Sequence, residues 1–89
     1  MKRMHVLISG TVTGVFFRKF VSDNAKSLDI KGWVKNDENK VEAVLEGKDM
    51  KVDELVKLCR RGPPGASITK FDAKKETYKA EFSNFEVKY

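Results

Sequence analysis

Met4-His5-Val6-Leu7-Ile8-Ser9-Gly10-Thr11-Val12-Thr13-Gly14-Val15-Phe16-Phe17-Arg18-Lys19 changes its hydrophobic period part-way along. The first six residues form an alternating apolar run, which predicts a strand over 4–9. From Phe17 the spacing lengthens. Phe17, Phe20, Val21, Ala25 and Leu28 recur near 3.6 residues, which predicts a helix over 17–28 with these side chains as core anchors. Gly10 and Gly14 fall in the turn between, and Arg18 in the first helical turn. Glycine opens backbone angles closed to other residues and lets the chain approach a ligand closely. Such a turn can aim successive N–H groups at one point, where the helix N-terminus adds partial positive charge. A guanidinium beside that point offers a two-pronged fork for a phosphate. The local chemistry is that of an anion site. The spacing matches neither G-x-x-x-x-G-K-[ST] nor G-x-G-x-x-G, so it is not a nucleotide fingerprint. On these residues alone, a glycine-containing turn with a surface arginine explains the segment equally well.

Outward from this turn, residues 30–36 read as a second strand, Asp37-Glu38-Asn39-Lys40 as a hairpin turn and residues 41–46 as a third strand. In that third strand Val41, Ala43 and Leu45 share one face, and Glu42, Val44 and Glu46 the other. Asp49 is placed to cap a second helix running to about Arg61. Gly62 stops that helix and Pro63-Pro64 forbid its continuation. Strands follow over 67–74 and 79–88. The order β-α-β-β-α-β plus one C-terminal strand predicts an α+β ferredoxin-like sandwich, an antiparallel sheet with both helices on one face. RNA-recognition domains share that topology, so the fold alone does not set function. Their aromatic-rich strand has no counterpart here, because the third strand carries no aromatic residue.

The composition fits one small domain over residues 1–89: 89 residues, 40% hydrophobic, net charge +5. Lys and Arg are interspersed with acidic residues, so most of that charge is solvated surface. The excess favours anionic ligands in general without singling out nucleic acid. Cys59 is the lone cysteine and shares a helical face with Val52, Leu55 and Val56, which reads as core packing. No apolar run approaches the roughly 18 residues of a membrane span, and no targeting segment is visible, so a soluble cytoplasmic monomer is expected. His5 reads as a half-buried strand residue and Asp23 as solvent-facing. No metal-ligand spacing, and no Ser or Cys beside a base motif, is present, so no metal or cofactor is expected.

Several blocks together resemble one family. G-x-V-x-G-V-x-F-R, carried by Gly10, Val12, Gly14, Val15, Phe17 and Arg18, resembles the acylphosphatase signature. Gly32-Trp33-Val34-Lys35-Asn36 resembles the family's G-W-V-x-N strand, and Val41-Glu42-Ala43-Val44-Leu45-Glu46-Gly47 the strand after it. Gly62-Pro63-Pro64-Gly65-Ala66 looks like the turn after the second helix, and Phe82-Ser83-Asn84-Phe85-Glu86-Val87-Lys88-Tyr89 like the family's ending. The resemblance implies hydrolysis of the carboxyl–phosphate anhydride of acyl phosphates, with inorganic phosphate as product. That chemistry suits this inventory. The leaving carboxylate, whose conjugate acid has a pKa near about 4, needs no proton donor, and phosphoryl transfer is chiefly positioning and charge stabilisation. By the resemblance, Arg18 aligns with the phosphate-binding arginine and Asn36 with the water-orienting asparagine. The backbone of Thr11, Val12, Thr13, Gly14, Val15 and Phe16 then forms the phosphate cradle. Taken alone, Asn36 reads as an Asx residue opening the hairpin turn. The family has glutamine where this chain has Thr13. Two other functions stay in view: a non-catalytic acyl-phosphate or anion-binding module of the same fold, and a nucleic-acid-binding ferredoxin-like domain. The expected partner is a small-molecule acyl phosphate, with neither membrane nor nucleic acid.

Overall fold

The computed structural model describes residues 1–12 and 16–88. Its elements are β1 (Lys2–Thr11), α1 (Phe17–Ser27), β2 (Lys31–Asp37), β3 (Lys40–Gly47), α2 (Asp49–Arg61), β4 (Ser67–Glu76) and β5 (Phe85–Lys88). The five strands form one sheet in the order β4-β1-β3-β2-β5. Register pairs Val6 and Val34 with Ala43 from either side, and Ile8 with Val41. These side chains, with Leu45, make one continuous apolar face. Phe17, Val21 and Ala25 of α1 and Val52, Leu55 and Cys59 of α2 close over it. The anchors read from the 3.6-residue spacing pack as expected, with Phe20 and Leu28 at the margin. Cys59 is fully buried, and burial pushes its thiol up to about 12, so it is inert filling.

Each neighbouring pair among β4, β1, β3 and β2 is antiparallel, as the sandwich requires, while β5 lies parallel to β2. The final strand is shorter than the span 79–88. Residues 77–84 instead cross the sheet on the side away from the helices. There Lys79 N and Glu81 N donate to the Glu46 carboxylate at 3.0 Å each, not to a neighbouring strand. Gly32 N then donates to Asn84 O and starts the parallel pairing. Asp49 does not cap α2. Lys48 holds the cap position, and Asp49, in the first turn, pairs with the N-terminal ammonium at 3.0 Å. A first-turn carboxylate still complements the helix dipole. Gly62 ends α2 at φ 73, as its position implied.

The crossing segment is clamped by Arg3. Its Nε donates to Glu76 at 2.8 Å, and its Nη1 to Glu81 at 2.6 Å and Glu46 at 3.3 Å. Arg3 and Glu46 are both buried. Burial alone pushes the Glu46 carboxyl up, but the N–H groups of Lys79 and Glu81 and the Arg3 guanidinium outweigh it, so its pKa lies below the ordinary carboxylate value of 4.5. A carboxylate depressed on folding adds stability above its unfolded pKa and loses it as pH falls through the folded value. Unfolding free energy should therefore drop as pH falls below 4.5. Glu46→Gln should cost about 2–3 kcal/mol at neutral pH and flatten that acid limb. Urea denaturation across pH checks this, and an unchanged acid limb in the variant would refute it.

Candidate active site

α1 starts without a side-chain cap. Phe16 occupies the cap position at φ 59, ψ 28, and its carbonyl accepts Phe20 N at 2.9 Å. Phe17 is buried and meets Phe20 edge-on at 6.1 Å, which fixes the first turn against the core. Arg18 is the next residue. Its Nη1 donates to Lys88 O at 3.2 Å, which draws the guanidinium toward the end of β5.

Asn36 reaches the same place from the sheet. It pairs with Val41 near the end of β2 and has the parity of Val34, so it faces the helix layer. Its Oδ1 is buried and has no hydrogen-bond partner among the described residues. A buried polar atom without a partner costs free energy, and such atoms concentrate where a structure is built for something else. An Asx residue opening the turn would spend this oxygen on local backbone; the hairpin is made without it, Glu38 taking φ 56.

Arg18 and Asn36 line one pocket of about 440 Å³. Phe16, Phe17, Lys19, Ser22 and Asp23 complete it from α1 and its cap, and Val87 from β5. Asp23 is exposed, as expected, and holds Lys19 at 2.8 Å on the rim. Of the cradle residues, Thr11 ends β1 opposite Ser67, and the Val12 side chain is fully buried in the core. Any role of Val12 at an anion is therefore through its backbone. Thr13, Gly14 and Val15 lie outside the described residues. Gly10 serves the sheet: at φ +128 it sits at a shift in the β1–β4 register, where a Cβ would run into the Ser67 carbonyl. His5 is half-buried on β1 and bonds Glu42 at 2.6 Å, a contact that lowers the Glu42 pKa. Among the described residues no group of three or more His, Cys, Asp or Glu is placed to hold a metal ion. No described helix is long and apolar enough to cross a membrane.

The acylphosphatase family model matches residues 4–87. The chain belongs to the acylphosphatase family. It is 43% identical over 90 residues to the acylphosphatase of Syntrophus aciditrophicus, covering 100% of this chain and 94% of that one. It is 42% identical over 89 residues to the acylphosphatase of Aeropyrum pernix, covering 98% and 88%. The crystal structure of acylphosphatase from Bacillus subtilis superposes with a TM-score of 0.94 at 28% identity, covering 100% of both chains. Neither the binding-module nor the nucleic-acid alternative is favoured by these matches. Two features of this acylphosphatase pocket go beyond the signature residues. Val87 reaches it because β5 pairs parallel to β2, and Phe16, at the cap of α1, lines it beside Arg18. A bulky apolar residue between Gly14 and the helix start was the one sequence signal for the latter.

Proposed function

We propose that this chain hydrolyses the carboxyl–phosphate anhydride of acyl phosphates by direct attack of water on phosphorus, with Arg18 and Asn36 as the catalytic residues. The observation that carries the division of labour is the buried Asn36 Oδ1, lacking a partner among the described residues, in the pocket that Arg18 also lines. In this reading the guanidinium and the N–H groups of the loop 11–16 hold the phosphoryl oxygens as charge redistributes. The amide oxygen of Asn36 accepts a hydrogen bond from a water and sets it in line with the P–O bond to the acyl group. The water oxygen bonds to phosphorus as that bond breaks. The electron pair leaves on the carboxylate, and the water proton is lost to solvent. No side-chain nucleophile is used, so no phosphoenzyme forms, and neither metal nor cofactor takes part. The chain acts as a cytoplasmic monomer, a setting that a lone buried thiol suits.

Acetyl phosphate hydrolysis in the presence of a chelator tests the reading. Turnover should persist there. Phosphate binding without turnover would instead favour the non-catalytic module. A second test concerns the departure at Thr13. If the loop works through its backbone, Thr13→Gln should change kcat/KM by less than about tenfold, roughly 1.4 kcal/mol. A gain of several hundredfold in steady-state kinetics would make that side chain central.

A further inference from the structure

Phe16 combines two costs. Its backbone sits at φ 59, in the left-handed region that bulky residues avoid. The residue is 79% exposed. Strained backbone persists where the surroundings enforce it, and such residues cluster at ligand clamps. Phe16 lines the pocket together with Arg18 and Asn36. At about 440 Å³ the pocket falls in the range that encloses whole small-molecule ligands, well beyond a phosphoryl group alone. The remaining volume must take the acyl part. Besides Arg18, Asn36 and Ser22, its lining is of two kinds. Phe16 and Val87 are apolar, while Lys19 and Asp23 are already paired with each other at 2.8 Å and so do not call for a second anionic group.

We infer that Phe16 determines acyl-group specificity: its ring, together with Val87 of the same pocket, receives an aromatic or branched apolar acyl group while the phosphoryl end lies at Arg18. This rests on the site proposed above. An apolar acyl group covering Phe16 would also remove its exposed surface from water.

The test is the ratio of kcat/KM for benzoyl phosphate to that for acetyl phosphate. Phe16→Asn removes the ring and tolerates the left-handed backbone; Phe16→Tyr keeps the ring. In Phe16→Asn the ratio should fall about tenfold, benzoyl phosphate losing more than acetyl phosphate. Phe16→Tyr should keep the wild-type ratio. An unchanged ratio in Phe16→Asn, or an equal loss on both substrates, overturns the assignment. Arg18→Ala, run alongside, separates the two readings. If it turns over both substrates like wild type, the site reading fails and the acyl assignment falls with it. If it abolishes turnover while the Phe16→Asn ratio is unchanged, only the acyl assignment fails.

Discussion

Arg18→Ala should abolish measurable turnover and weaken inhibition by inorganic phosphate. Arg18 lies in the first turn of α1, where the helix terminus and the guanidinium add their positive charge at one end of the pocket. Losing a charge-assisted, two-pronged contact to a phosphoryl group should cost roughly 2–4 kcal/mol of transition-state stabilisation. Arg18→Lys should not restore full activity, because an ammonium is a point charge and the planar fork is lost. The fold should survive both changes, since Arg18 is only half-buried and lies outside the apolar cluster. Steady-state kinetics with acetyl phosphate check this, with circular dichroism as the folding control. Near-wild-type turnover in Arg18→Ala would sink the mechanism.

Asn36→Ala should collapse kcat by about 100-fold or more, the loss expected when a reacting group is no longer held in line. KM should move little, because the phosphoryl contacts remain. Stability should hold or rise slightly. The variant deletes a buried oxygen that has no partner among the described residues, so no hydrogen bond seen there is broken. Asn36→Asp is the sharper control. It keeps an acceptor but sets a negative charge beside an anionic substrate, so it should impair KM as well as kcat. A variant that loses stability along with activity would make Asn36 a part of the turn instead.

The period change at Gly10–Arg18 and the alternation in 41–46 carried the fold. Each reports burial on one face, and the core on Val6, Val34, Val41, Ala43 and Leu45 follows from them. Although only Phe85–Lys88 pairs as a strand, the span 79–88 reads as one because residues 79–84 resemble a strand in composition. What holds them is an ion cluster on Arg3 and Glu46, groups far apart in sequence that no local pattern connects. The cap of α2 falls at Lys48, one residue before Asp49, whose carboxylate pairs instead with the N-terminal ammonium. At the site, Arg18 was marked by its turn. Asn36 stood out only through resemblance, since its residue type and its place before a turn have an ordinary local explanation. No local pattern marks Val87, which a parallel edge strand brings to the pocket, and Phe16 is marked only as a bulky apolar residue just before the helix.

The claim that one residue anchors phosphate and another guides water is tested most directly by calorimetric titration of inorganic phosphate into wild type, Arg18→Ala and Asn36→Ala. The account predicts that Asn36→Ala, though inactive, binds phosphate within about threefold of wild type, while Arg18→Ala binds at least about tenfold more weakly. Equal weakening in both variants, or a greater loss in Asn36→Ala, would contradict it.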